Sequence, residues 1–393
     1  MVSARIEDDP NGPSYDVAIA GAGAIGLSAA WLLARSGRRV VLVDPTPGHG
    51  AVWVAAGMLA PAGEAHFGEE RLTRLLVAGA SRWPTFALEL EHDASRSIGF
   101  QRSGTLAVAA DPSDRAALDR LCEFRSSLGL VTKRLTGSAC RHLVPSLSPH
   151  ICGGAELPGD HQVDNRRLVD ALLSACAAVG VTLLHGRVEA FRHDHSGALG
   201  LITDRGLVRA PVVLVAMGWQ SSALAGVPDG ILPAVRPVKG HVLRLKADTP
   251  LVPRTVRGLV NGRACYIVPR EDNSLVVGAT VEERGDDLRV QAAAVHALLD
   301  DARTLLPGVD ELELAECSVG LRPGSADNGP HVGWTEISGL AVATGHFRNG
   351  VLLAPITAQA IVALLDGQDP AAELTSFGVR ARPGTNHQLA APR

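Results

Sequence analysis

The residues with the plainest chemistry stand near the start of the chain: Gly21, Gly23 and Gly26, spaced Gly-x-Gly-x-x-Gly, with Asp44 18 positions after the last glycine. In such a run the first glycine permits a tight turn, the second lets backbone N–H groups approach a pyrophosphate, and the third lets a helix lie close against a strand. A carboxylate at Asp44 would accept hydrogen bonds from ribose hydroxyls and repel a 2′-phosphate, which disfavours NADP. The spacing by itself serves NAD and FAD alike. A second stretch, Gly345-His346-Phe347-Arg348-Asn349-Gly350, precedes an apolar helical run and offers another helix N-terminus to an anionic group. The N1–C2=O edge of a reduced flavin is such a group.

These residues need particular elements around them. Val17-Ala18-Ile19-Ala20 reads as a strand running into the glycines, the apolar stretch through Leu33 as a helix closed by Ser36-Gly37, and Val40 to Val43 as the next strand. Farther on, Asp111-Pro112 and Asp164 are helix N-caps, the first placing Leu118 and Cys122 on a core face and the second Val169, Leu172 and Cys176. Tyr266-Ile267-Val268 and Leu275-Val276-Val277 around Glu271-Asp272-Asn273-Ser274 predict a hairpin. Strand, turn and helix open the chain, return in the middle and close it. The expected fold is therefore α/β: a discontinuous Rossmann-like nucleotide-binding domain over residues 15–90, 151–228 and 327–376. A β-rich α+β domain is inserted as 91–150 and 229–326, with 1–14 a flexible leader and 377–393 a tail.

Composition narrows the function classes. The 393 residues are 46% hydrophobic and 20% charged, which is ordinary for a folded chain. A net charge of −4 with 14 aromatic residues supplies neither a phosphate-binding field nor a stacking platform, so nucleic acid is not an expected partner. Lysine occurs only at 133, 239 and 246, so 34 of the 37 cationic residues are arginine and any single arginine is a weak signal. The six cysteines are scattered without a Cys-x-x-Cys, which fits the reducing cytoplasm. Uninterrupted apolar stretches fall short of the roughly 18 residues of a membrane span, so no membrane partner is expected. His193 and His195 sit in a polar turn without further ligands at metal spacing, and no metal is expected. Whether the chain forms a homo-oligomer is left open.

Six further motifs are Ala55-Ala56-Gly57-Met58-Leu59, Pro237-Val238-Lys239-Gly240, Tyr266-Ile267-Val268-Pro269-Arg270, Val277-Gly278-Ala279-Thr280, Gly320-Leu321-Arg322-Pro323-Gly324 and the stretch from Gly345 to Gly350. With the fingerprint, they make the sequence resemble the FAD-dependent D-amino acid oxidase and glycine/sarcosine oxidase superfamily, most closely the glycine oxidases of thiamine biosynthesis. The resemblance implies FAD contacts at Gly21, Gly23, Ala24, Ile25, Gly26, Asp44, Ala56, Gly57, Met58 and Val188. It implies the same for His346, Phe347, Arg348, Asn349, Gly350, Val351 and Leu352. Tyr266, Arg322 and Arg348 are then expected to face substrate.

In that reading Arg322 holds the substrate carboxylate with its planar fork, Tyr266 adds a hydroxyl donor, and Arg348 polarises near the flavin. A small amino acid or amine, its nitrogen neutral, would pass hydride from the α-carbon to the flavin, and dioxygen would leave as hydrogen peroxide. The imine would hydrolyse to an oxo acid and ammonia, or feed thiazole synthesis. The alternatives are an FAD dehydrogenase with another electron acceptor and a non-catalytic flavoprotein. The chain departs from the family pattern at Ala51-Val52, where hydroxyl residues are usual, and at Ala264 and Val281, where larger side chains are usual. Leu321 stands near the place of the flavin-linking cysteine of sarcosine oxidases, so FAD is expected to be noncovalent.

Overall fold

A computed structural model of the protein describes residues 14–379, so the expected leader lies, but for its last residue, outside the described residues. Two large sheets organise the chain. The first has six strands in the order His331–Trp334, Leu340–Thr344, Val212–Val215, Val17–Ala20, Val40–Val43 and Thr182–Leu184. Its pairings are parallel except for the antiparallel edge strand His331–Trp334. In register, Val17 and Ala20 face Val40 and Val43 on one side and Val212 and Val215 on the other.

The strands are continuously apolar because both faces of the sheet are covered. Val17, Ile19, Val40 and Leu42 pack under the helices Ala24–Arg35, Asn165–Ala178 and Gly350–Leu365. Ala18, Ala20, Val41 and Val43 pack against Phe191, Leu201 and Val208 of a three-stranded antiparallel sheet on the other face. Local signals set the helix starts. The Asp164 carboxylate accepts the backbone N–H groups of Arg166 and Arg167, and Asp111 accepts that of Asp114 behind Pro112.

The second sheet has eight strands: Glu313–Gly324, Arg236–Lys246, Ser274–Gly278, Arg263–Pro269, Thr255–Val260, Thr105–Ala109, Gly153–Leu157 and Lys133–Thr136. The expected hairpin is present, with Ile267 opposite Val277 and Asn273 at φ 66° in its turn. One face packs on the helix Ala292–Leu305 through Leu243, Val256, Ile267, Leu275 and Val277. On the other, Val242, Val268 and Val276 meet Ala56, Val54, Met58 and Tyr266.

Two sequence boundaries shift. Gly153–Leu157 was grouped with the nucleotide-binding segments but pairs with Thr105–Ala109 in the eight-stranded sheet, where its backbone bridges that strand to the edge strand Lys133–Thr136. Phe377, placed in the tail, is 1% exposed in the first core, and its carbonyl accepts the Val332 N–H. One helical stretch, Phe347–Leu365, is long and apolar enough to cross a membrane, although the sequence promised no such run. Its apolarity is spent inside the protein: Leu353, Ala354, Ala358 and Ile361 are wholly buried in the core formed with Ala24–Arg35 and Glu70–Ala94.

Candidate active site

A cavity of about 940 Å³ opens between the two sheets. Its first wall is the carboxyl end of the parallel strands. Gly21, at φ 98°, lies so close to the neighbouring strand that a Cβ there would stand 2.5 Å from the Ala216 carbonyl oxygen. A Cβ on Gly26 would lie 1.9 Å from the Gly21 oxygen, so Gly26 serves helix packing and does not reach the cavity wall. Gly23 is the opposite case: a Cβ there would meet nothing within 4 Å. It therefore opens onto space a ligand can fill. As N-cap of Ala24–Arg35 it brings no side-chain cap, so the N–H groups of the first turn remain available to an anion. Asp44 closes this region, its carboxylate accepting from Ala22 N–H at 2.7 Å and Thr46 N–H at 2.8 Å.

Ala24, Ile25, Ala56, Gly57, Met58 and Val188 also line the cavity, as do His346, Phe347, Arg348, Asn349, Gly350 and Val351. Leu352 does not: it is 1% exposed within the helical core, and its carbonyl accepts from the Trp83 indole N–H. The second helix N-terminus, at Gly350, likewise lacks a side-chain cap. Asn349 beside it buries its Nδ2 with no hydrogen-bond partner among the described residues. An acceptor supplied by a ligand would complete that group. His346 donates or accepts at Nε2 with the Thr357 hydroxyl at 3.0 Å, and burial, followed by nearby His331, pushes its imidazole down to about 3. It is a neutral side chain at ordinary pH.

Tyr266, Arg322 and Arg348 all reach the cavity, but in different states. Arg322 is seated by glycine: a Cβ at Gly240 would fall 2.3 Å from its Nη1. That Nη1 donates to the Thr280 carbonyl at 3.1 Å and the Lys239 carbonyl at 3.3 Å, and no carboxylate pairs with the guanidinium among the described residues. Burial, the largest influence, together with the charge of Arg348 lowers its proton affinity, which marks a cation short of a counterion. The Tyr266 ring lies over Gly278, where a Cβ would come within 2.4 Å of the hydroxyl. Burial pushes this phenol up to about 12, so it stays protonated and able to donate.

Arg348 arrives already paired. Its Nε donates to Glu64 Oε2 at 2.8 Å, Nη2 lies 3.6 Å from Glu69, and the guanidinium sits 4.8 Å from the Phe347 ring centroid. Glu64 also accepts from Arg257 Nη1 at 2.6 Å. Burial pushes the Glu64 carboxyl upward, but Arg257 and Arg348 outweigh it and hold the group well below the usual carboxylate range.

Glu64 and Arg257 were not legible in the sequence, since a single Glu in a loop and an Arg in a strand carry no pattern. Met217, Gly218 and Trp219 also line the cavity and did have a signal. They follow the strand Val212–Val215, beside the fingerprint strand, and ligands of open α/β sheets bind beyond such strand ends. Among the described residues no three His, Cys, Asp or Glu side chains gather as a metal site.

The glycine cradle, the two uncapped helix starts, the Asp44 carboxylate and the unpartnered Asn349 amide fit a long dinucleotide with a polar ring system. Comparison with known proteins agrees. Residues 16–364 match the family model described as DAO, FAD dependent oxidoreductase. The glycine oxidase of Geobacillus kaustophilus is 34% identical over 94% of this chain and 98% of its own, and a crystal structure of glycine oxidase from that organism superposes with a TM-score of 0.87. The bifunctional protein ThiO/ThiG of Trichormus variabilis is 31% identical over 88% of this chain, which spans about half (52%) of that protein. Iminodiacetate oxidase from Chelativorans sp. BNC1 superposes with a TM-score of 0.83 at 26% identity, over 92% of this chain and 98% of that one. With its fingerprint, its cavity and a family match across most of its length, the chain belongs to the DAO family of FAD dependent oxidoreductases.

Proposed function

We propose that this protein is an FAD-dependent oxidase of glycine and other small amines or D-amino acids. The observation that carries the reading is Arg322: a guanidinium with no acidic partner among the described residues, anchored by two backbone carbonyls through Nη1 and facing the cavity with the Tyr266 side chain. Its free N–H groups suit a carboxylate bound in the bidentate manner, and Tyr266 supplies a further donor. Met58, Val242 and Leu321 give the pocket apolar walls that thin the water around the amine and the α-carbon.

Bound FAD supplies the chemistry of hydride acceptance from carbon and electron transfer to dioxygen. The chain contributes orientation: Arg322 and Tyr266 fix the carboxylate, so the α-carbon is directed by a two-point clamp. The imine product would hydrolyse to an oxo acid and ammonia, with hydrogen peroxide as the reduced product. Likeness to glycine oxidase and to ThiO/ThiG supports a role in thiamine biosynthesis, in which the glycine imine is delivered to thiazole formation.

The test is a visible spectrum of the purified protein, followed by anaerobic addition of glycine, sarcosine and D-amino acids. Bleaching of the flavin, with one hydrogen peroxide per turnover on readmission of air, is expected. Bleaching without peroxide would instead make the protein a dehydrogenase.

A further inference from the structure

Arg348 and Arg322 share one cavity, yet of these two Arg322 has no acidic partner among the described residues. Two cations in one pocket would suit a substrate with two acidic groups. Here a side chain of the protein stands in for the second acid. The Glu64 carboxylate is itself on the cavity wall, its side chain is 10% exposed, and it divides its oxygens, Oε1 to Arg257 and Oε2 to Arg348. The far side of the Arg348 guanidinium carries a buried Nη2 with no hydrogen-bond partner among the described residues; Glu69 lies near it only at ion-pair distance. Arg348 is thus a cation with donor capacity left, hydrogen-bonded by Glu64 and faced by Glu69 only at ion-pair distance.

The rest of the loop explains why Glu64 holds its place. The backbone N–H groups of Ala62 and Gly63 donate to the wholly buried Asp160 at 2.8 and 2.7 Å, and the Gly63 carbonyl accepts from Arg125. Arg257 comes from the eight-stranded sheet and Arg348 from the start of the core helix, so Glu64 is gripped from both layers. A substrate carboxylate approaching Arg348 must displace or repel a carboxylate that cannot swing away without leaving Arg257 unpaired.

We propose that Glu64 is a specificity-determining residue: by occupying Arg348 from within the chain it confines the pocket to amines and amino acids with a single carboxylate and turns away amino dicarboxylates. The inference rests on the amino acid oxidase reading, in which Arg322 takes the first carboxylate. Removing the Glu64 charge should convert Arg348 into a second carboxylate site.

The test uses the FAD-bound protein and ligands that cannot be oxidised, so that binding is read from the perturbation of the flavin spectrum. Acetate is compared with malonate, succinate and glutarate in the wild type, in Glu64→Gln, in Arg348→Leu and in Glu64→Gln/Arg348→Leu. In Glu64→Gln the best dicarboxylate should tighten about tenfold or more relative to acetate, as expected for one new charge-assisted pair, and the double variant should lose that gain. In the wild type no dicarboxylate should bind more tightly than acetate, because Arg348 is already occupied, and Arg348→Leu alone should create no such preference. This arm decides the matter even if Glu64→Gln fails to fold. A dicarboxylate that binds the wild type more tightly than acetate, an equal change for acetate and dicarboxylates in Glu64→Gln, or a gain that survives loss of Arg348 would overturn the proposal. Turnover of glycine is scored separately: binding ratios as expected with no amine oxidised would uphold the role of Glu64 and remove the oxidase reading.

Discussion

Asp44 reaches back across the fingerprint turn to Ala22, its Oδ2 accepting the Ala22 N–H at 2.7 Å while Oδ1 accepts Thr46 N–H at 2.8 Å. One carboxylate thereby fixes the glycine turn and keeps lone pairs for a ribose, since an ionised carboxylate has about four acceptor positions. Asp44→Ala is expected to weaken FAD binding by about 1 to 3 kcal/mol, from lost hydrogen bonds to ribose and a looser turn. Flavin fluorescence quenching on titration of the apoprotein measures it. Unchanged affinity would mean that Asp44 serves the turn alone.

The flavin should not be covalently attached. Leu321 lines the cavity and has no nucleophile, while Cys317 on the same strand stands opposite Leu243 and packs against the core on the other face of the sheet. Acid precipitation of the yellow protein should leave the colour in the supernatant. Colour retained in the pellet contradicts this.

Arg322→Ala is expected to lower kcat/KM for an amino acid substrate by about 3 to 5 kcal/mol, because the substrate carboxylate loses its buried partner. FAD content should stay near that of the wild type. Arg322→Lys should restore only part of the loss, since an ammonium cannot reproduce the planar fork. An amine without a carboxylate should lose far less. Equal losses for both substrates would assign Arg322 a structural role.

His346 gives a pH dependence with a definite sign. Burial first, and then His331, push its folded value down to about 3 from 6.5. Between those values the unfolded chain binds the proton that the folded chain refuses, so stability rises with pH across this window and is lost as pH falls. His346→Gln should flatten the slope by up to about 1.4 kcal/mol per pH unit. Urea midpoints taken with saturating FAD at several pH values from mildly acidic to neutral read the difference; parallel slopes for variant and wild type would show that His346 is not the group responsible.

The nucleotide half of the site was open to inspection in the chain because its physics is local. A strand, a Gly-x-Gly-x-x-Gly turn, a helix and an acid at the end of the next strand lie within about thirty residues, and each glycine answers a steric demand made by its close neighbours or by the space before it. The alternation inside Val17–Ala20 and Val40–Val43 was invisible as such, since both faces are buried, and only the sheet order showed which residues meet helices and which meet the three-stranded layer.

The substrate half was legible only as residue types. Arg322 and Arg348 look equivalent in a chain with 34 arginines, and what separates them is a partner 284 positions away: Glu64 pairs with Arg348, while Arg322 has no acidic partner among the described residues. The same carboxylate meets Arg257, 193 positions away in sequence. Sequence patterns record the backbone periods and turns that short-range sterics enforce. Which charge neutralises which is decided by the convergence of distant loops in a low-dielectric pocket, where ångström differences in approach outweigh residue type, and so only the tertiary structure determined it.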